Sequence, residues 1–313
     1  MVLGEEEVRS LLRMEELIPA MANALRNLSA GKVEQPMRLV LPVREHEGFF
    51  GVMPAWGGAL GAKLVTFYPN NQGVPTHHAM IVLFRPETGE PLVTMDGRLI
   101  TEMRTAAVSA VATDALARRN ASVLAILGSG VQAGSHLDAL RIVRKFREVR
   151  VWSPRNPTEF AQRHQVSAAA SPEEAVRGAD VIVVATAATT PVLRGEWLSS
   201  GAHINAVGAT RPNWRELDDE VLRKARIYVE SREAAMKESG DVIAAGQVFA
   251  EIGEVVAGTK SGRESDEEIT LFKSVGMAVE DIAAASLVYE RAVAARNDPA
   301  FAKATARQAN NER

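Results

Sequence analysis

The sequence predicts an α/β protein in which a doubly wound parallel sheet follows an α+β unit. Two observations carry this. From Val123 onward, short apolar runs alternate with helical stretches, the pattern of parallel strands covered on both faces. From Pro36 to Met95 the period is that of strands alone, with runs separated by Gly, Pro and Asn. The 313 residues exceed what a single core commonly serves, so two domains are expected: residues 1–118 completed by a C-terminal helix at 270–313, and residues 119–269.

The elements follow in order. Val8, Leu11, Leu12, Leu17, Ile18, Met21, Leu25 and Leu28 recur at helical spacing over residues 5–29 and give one or two amphipathic helices, closed by Ala30-Gly31. The runs MRLVLPV, FFGVMPA, AKLVTFY, HAMIVLF and PLVTM predict a mostly antiparallel sheet. Residues 98–118, rich in Ala, Leu and Met, read as a long helix.

The apolar run VLAIL then meets Gly128-Ser129-Gly130-Val131-Gln132-Ala133 before a helical stretch. Glycine turns between strand and helix are common, so the hexapeptide says little by itself. Followed by strands at 148–153, 180–187, 203–210 and 226–231, it becomes the phosphate-binding turn of a Rossmann-type sheet. The first glycine allows the tight turn, the second lets backbone approach a pyrophosphate, and Ala133 lets helix and strand pack closely. Ser171-Pro172-Glu173-Glu174 reads as an N-cap, a proline at the first helical position and two first-turn acids. Residues 259–268 read as a loop, 270–296 as one closing helix, and the tail from Asn297 as frayed.

Composition excludes several classes. There is no cysteine, hence no disulfide or thiolate nucleophile, and the six histidines form no ligand pair, so no metal is expected. A net charge of −3 without a basic tract argues against nucleic acid. No apolar run reaches the roughly 18 residues that cross a bilayer, and the acidic amphipathic N-terminus is unlike a signal peptide, so a cytoplasmic location is the expectation.

The end of the second parallel strand speaks to the cofactor. NAD-preferring sites place an acid there for the ribose 2′-OH. Here the chain reads Val151-Trp152-Ser153-Pro154-Arg155-Asn156, without an acid and with donors for a 2′-phosphate, so NADPH is the expected cofactor. Arg155 also suits a solvated surface turn. Arg38, Lys63 and Arg104 each interrupt an apolar or small-residue stretch and must reach water, a carboxylate or a ligand. Their chemistry alone does not unite them. His77 and His78 stand at a strand start, where a structural role is as natural as a catalytic one.

Several longer segments are distinctive: KLVTFY, MDGRLITEMRTAAVSAVAT, ILGSGVQAGSH, GEWLSSGAHINAVGATRPNWRELDDE, EAAMKESGDV, FAEIGEV and FKSVGMAVED. On these the chain resembles the ornithine cyclodeaminase/mu-crystallin family over nearly its whole length, and within it the ketimine-reductase branch. The resemblance implies that Arg38, Lys63 and Arg104 form the cage for a substrate α-carboxylate. It sets Thr76, His77, Arg104 and Thr105 beside the cofactor, and Gly128, Gly130, Val131 and Gln132 at its pyrophosphate. Ser153, Arg155 and Asn156 match the 2′-phosphate site, and Ala185, Thr186 and Val207 the nicotinamide half. It further implies a homodimer, with the N-terminal sheet and C-terminal helix as substrate-binding and dimerisation domain.

One departure separates branches. Cyclodeaminases carry an aspartate for the substrate δ-amino group where this chain has Thr210, and a hydroxyl cannot pair with an ammonium as a carboxylate does. Asp218 and Asp219 fit a helix start instead. The expected reaction is therefore NADPH-dependent reduction of cyclic imines bearing a carboxylate, of the piperideine-2-carboxylate or pyrroline-2-carboxylate type, with reductive amination of α-keto acids as a possible extension. Lys63 is a candidate proton donor. Ornithine cyclodeaminase or alanine dehydrogenase activity, and a non-catalytic thyroid-hormone-binding or crystallin role, are the alternatives.

Overall fold

Chain order builds two sheets in sequence. The computed structural model describes residues 1–297; the expectation of a frayed tail lies outside them beyond Asn297. The chain begins with β1 (Val2–Leu3), α1 (Glu5–Leu11) and α2 (Met14–Ser29). Five strands follow, β2 (Leu39–Val43), β3 (Gly48–Trp56), β4 (Leu60–Phe67), β5 (His77–Phe84) and β6 (Pro91–Asp96), and then the long helix α3 (Arg98–Leu116). The six-stranded sheet has the order β1-β6-β5-β4-β3-β2 and is antiparallel except where β1 joins β6.

Next come β7 (Val123–Leu127), α4 (Val131–Val143), β8 (Glu148–Trp152), α5 (Pro157–His164), β9 (Ser167–Ala168), α6 (Pro172–Val176), β10 (Val181–Val184) and β11 (His203–Ala206). The chain continues through α7 (Asp219–Lys224), β12 (Ala225–Val229), α8 (Arg232–Glu238), α9 (Gly240–Ala245), β13 (Ala250–Glu251), α10 (Ile252–Val256), β14 (Ile269–Lys273) and α11 (Ala278–Asn297). The eight strands β7 to β14 form a second sheet and are all parallel, in the order β13-β12-β14-β11-β10-β7-β8-β9. Connections run from β7 outward to β8 on one side and return to β10 on the other. That reversal is the switch point at which open α/β sheets bind ligands.

Local rules account for the element ends. Ser171 accepts a hydrogen bond from the Glu174 amide, and Asp218 caps α7 through the Val221 amide, as the sequence predicts. The strands expected to run to 187 and 210 stop at Val184 and Ala206, leaving the segments beyond them free to line a site.

The closing helix differs from expectation. Residues 269–273 are not helical: β14 lies between β11 and β12 in the parallel sheet, and α11 begins only at Ala278. Four consecutive residues, Thr270 to Lys273, are buried, as a central parallel strand requires. A short apolar run is ambiguous between strand and helix by periodicity alone. Gly276, at φ +75°, is the break that separates the two elements.

Apolar clusters cover both faces of the parallel sheet. A third unites α2, α3 and α11 with the inner face of the antiparallel sheet. Phe272, fully buried in that third cluster, ties β14 to it. Phe272→Ala should cost about 3–5 kcal/mol, read as a lowered urea midpoint. A loss under about 0.5 kcal/mol, the range of surface positions, would contradict its central placement.

Candidate functional site

A cavity of about 360 Å³ lies between the two sheets. Arg38, Lys63, His77, Arg104 and Thr105 line it from the first sheet and α3; Val131, Gln132, Val207 and Thr210 line it from the second. Nine of the residues expected at the site thus converge here.

Alternation along β4 turns Lys63 inward, opposite Met53 and Ile81 on the flanking strands. Lys63 is 2% exposed, and its ammonium meets Asp281 Oδ2 at 2.6 Å. Arg104 projects from α3, donating from Nε to Asp281 Oδ1 at 2.9 Å and from Nη1 to Glu280 Oε2 at 2.7 Å. One buried carboxylate therefore joins both cations. Gly276 packs so near that a Cβ would stand 2.6 Å from Arg104 Nη1. Any side chain there would displace the guanidinium.

Arg38 enters just before β2 and is only partly buried. It donates from Nε to Glu238 at 3.0 Å and from Nη2 to the carbonyls of Val275 and Gly276 at 2.8 and 2.6 Å. Among the described residues no hydrogen bond engages its Nη1, and Arg38 lines the cavity. Arg211 lies over the Phe49 ring at 4.0 Å, a second crossing between the two halves.

The electrostatics follow from burial against pairing. Burial pulls the Lys63 pKa down to about 8; Asp281 resists, and Arg104 and Arg38 add to the fall. Burial works against the Asp281 carboxylate, but Arg104 and Lys63 outweigh it and hold its pKa below the ordinary value. Burial also raises the Glu280 pKa, against the pull of Arg104. His77 is lowered to about 4 by burial and by the charges of Lys63 and Arg104, so its imidazole is neutral near pH 7.

On the opposite wall Gly128 holds φ +123°, and a Cβ there would collide with the Ala185 carbonyl. A Cβ on Gly130 would meet open space, and Gly130 begins α4 with no side-chain cap. The Val131 and Gln132 amides are thus available to an anion, while that of Ala133 donates to the Gly130 carbonyl at 3.0 Å; free amides at a helix start are the arrangement a pyrophosphate needs. Ser129 donates to the Arg155 carbonyl at 2.7 Å, tying this turn to the loop after β8. That loop holds Ser153, Arg155 and the left-handed Asn156 outside the cavity, with no acid among them.

The remaining expected residues do not line the cavity. Thr76 is exposed at the start of β5, and Gly128, Gly130 and Ala185 form the base of the glycine turn. Thr186 directs both its amide and its hydroxyl to Glu216, at 2.9 and 2.6 Å.

Asp281, Glu280, Glu238 and Arg211 are residues that sequence reasoning did not assign. Two adjacent acids at a helix start ordinarily read as favourable first-turn charge. The available signal was their place in the distinctive run FKSVGMAVED.

An all-parallel sheet with a bare glycine turn at its switch point, facing a cavity floored by paired cations, defines a Rossmann-type nucleotide-binding protein with a site for a small anion. The chain belongs to the ornithine cyclodeaminase/mu-crystallin family, whose profile matches residues 1–296. It is 52% identical over 302 residues to the ketimine reductase mu-crystallin of Mus musculus, covering 92% of this chain and 96% of that protein. The structure of Thermococcus litoralis Δ(1)-pyrroline-2-carboxylate reductase in complex with NADH and L-proline superposes with a TM-score of 0.90 at 39% identity, over 94% of this chain and 97% of that one. An archaeal alanine dehydrogenase dimer with bound NAD matches with a TM-score of 0.89 at 41% identity, over 94% and 96%.

Asp281→Asn would leave two buried cations short of a charge partner. The variant should lose about 3–5 kcal/mol of stability at neutral pH. Because the Asp281 pKa is lowered on folding, its contribution is complete above the ordinary aspartate value and fades only as pH falls through the folded one. Thermal melts of both proteins from pH 7 downward should therefore show the gap closing only below about pH 4.

Proposed function

We propose that this chain is an NADPH-dependent reductase of cyclic ketimines that carry a carboxylate on the imine carbon. The observation that carries the reading is the convergence of Lys63, Arg104 and the free edge of Arg38 in one cavity beside the first turn of α4. Close relatives with ketimine-reductase and pyrroline-2-carboxylate-reductase activity support it.

The substrate carboxylate is held by Arg38 Nη1, Arg104 and the Lys63 ammonium, which turns the ring's C=N bond toward Val207 and Thr210. Orientation is the larger part of the rate gain, since it replaces a bimolecular encounter by a fixed approach. The bound dinucleotide supplies a hydride. Lys63 supplies the proton: with a pKa of about 8, its ammonium is a working acid near neutral pH. Asp281 and Glu280 keep Arg104 charged, because Asp281, Glu280 and Glu230 outweigh the burial that opposes that charge. His77, neutral beside them, adds no positive charge to repel the protonated imine. Thr210 presents no carboxylate to a δ-ammonium, which disfavours cyclodeamination of ornithine.

Preference for NADPH is supported by Ser153, Arg155 and Asn156, an acid-free group of donors at the end of β8. A second copy of the chain is the proposed partner. Leu39, Val40 and Leu41 on the edge strand β2 and Met80 on β5 are exposed, as a subunit interface would leave them.

The test is NADPH oxidation followed spectrophotometrically with piperideine-2-carboxylate. Consumption of NADPH is expected; none, together with tight iodothyronine binding, would favour a carrier role. Ammonia release from L-ornithine would instead favour a cyclodeaminase. Arg155→Ala should raise KM for NADPH well above any change for NADH, and equal changes would remove the phosphate assignment. Lys63→Met should abolish turnover at saturating imine, and in the unaltered enzyme kcat should decline as pH rises through about 8, where the donor ammonium is lost. An effect confined to KM would restrict Lys63 to binding.

A further inference from the structure

Beneath the cavity the parallel sheet contains a charge network that substrate binding does not explain. Glu216, Asp241 and Lys273 are each fully buried. Lys273, the last residue of β14, donates to the Gly208 carbonyl and lies 3.9 Å from Glu216 Oε2 and 3.7 Å from Asp241 Oδ2. Asp241 in turn accepts from the amides of Glu216 and Leu217, both at 3.1 Å, which fixes the segment carrying Glu216.

Glu216 is the hub. Its Oε1 accepts from both the amide and hydroxyl of Thr186, two residues beyond β10. It also lies against Gly208, two residues beyond β11, where a Cβ would overlap both Glu216 Oε1 and the Thr186 carbonyl. The ends of three adjacent strands, β10, β11 and β14, are thus joined through one carboxylate and one ammonium.

A second observation points the same way. Ala209 is held at φ +50°, in the left-handed region that alanine seldom occupies. Such a conformation persists only where its surroundings over-determine it. Lys273 grips the carbonyl immediately before Ala209, and Thr210, immediately after it, lines the cavity. Two acids around one buried lysine add little stability, because desolvating three charges offsets their attraction. A network with little stabilising value that holds a strained turn beside a site has geometry as its purpose.

We propose that Glu216 is a positioning residue for hydride transfer. With Lys273 it fixes segments 185–188 and 207–211, the floor for the nicotinamide half of the dinucleotide, and so sets the separation between the hydride donor and the imine carbon held over Lys63. This rests on the dinucleotide-dependent reading above. Oε1 accepts whether the carboxyl is charged or neutral, so an amide oxygen can take its place; alanine cannot.

The experiment compares Glu216→Ala, Glu216→Gln and the unaltered protein. NADPH binding is measured by fluorescence titration, and kcat, imine KM and the primary deuterium isotope effect with 4-deuterated NADPH are measured under saturation. Glu216→Ala should lower kcat between about 10- and 100-fold, as expected for displacement of a reactant by a fraction of an ångström to an ångström. Its imine KM should change little and its isotope effect should increase. Glu216→Gln should restore most of kcat. If Glu216→Ala melts earlier yet keeps kcat, NADPH affinity and the isotope effect, the residue is merely structural and the inference falls. Should Glu216→Ala fail to fold, Thr186→Val, which removes the hydroxyl's bond to Glu216 together with the one it accepts from the Ala188 amide, must give the same fall in kcat at unchanged imine KM; normal turnover there overturns the proposal. Failure of the unaltered protein to bind NADPH would overturn the cofactor reading and this inference with it, whereas binding with unaffected variants would overturn this inference alone.

Discussion

The Asp281 carboxylate is the constraint on which the site depends. An ammonium and a guanidinium from different elements cannot share a dry cavity without a counter-charge, because their repulsion grows as water is removed. Asp281 binds Lys63 with one oxygen and Arg104 with the other, and so fixes how far apart two cations stand. Everything that lets it do so is costly in sequence terms: a glycine at 276 that leaves room for Arg104, a second acid at 280, and a helix whose first turn is buried. What results is a pair of buried cations held at a fixed separation by the protein's own carboxylates.

The two halves of the cavity are built on different physical terms. The half lined by Lys63 and Arg104 relies on full charges at short range, sheltered from water. The opposite half relies on backbone: uncapped amides at the start of α4, a glycine pressed against a neighbouring carbonyl, and strand ends tied from below. A charged side chain adapts to ligands of varied shape, whereas backbone amides at a helix start present a fixed set of donors that suits an anion. This division suits the proposed reading, in which one invariant cofactor meets a substrate recognised chiefly by its carboxylate.

Much of the fold was legible because strand and helix periods are local properties. The glycine turn, the alternating strands and the serine and aspartate caps stand where sequence reasoning put them. Residues 270–273 were misread because a short run buried on all sides shows neither period, and only Gly276 marks where strand ends and helix begins. Arg38, Lys63 and Arg104 were visible as cations out of place, but their convergence came from family resemblance and not from spacing. Asp281 and Glu216 stayed hidden for a related reason. An acid in a helical or loop segment reads as surface until its tertiary partners are known, and those partners lie far away in the chain.

That separation has a consequence for how the molecule must assemble. Arg104 and Asp281 are 177 residues apart, and β14, an interior strand of the parallel sheet, is the last strand among the described residues. The first 268 residues must therefore be synthesised before either the central gap of one sheet or the charge balance of the other half can be completed. Until then the nascent chain carries unpaired strand edges between β11 and β12 and two cations awaiting burial, the kind of exposed intermediate that chaperones attend. Loss of residues 269–297 would thus open both halves at once, since it removes an interior strand from one sheet and the counter-charge Asp281 from the cations of the other.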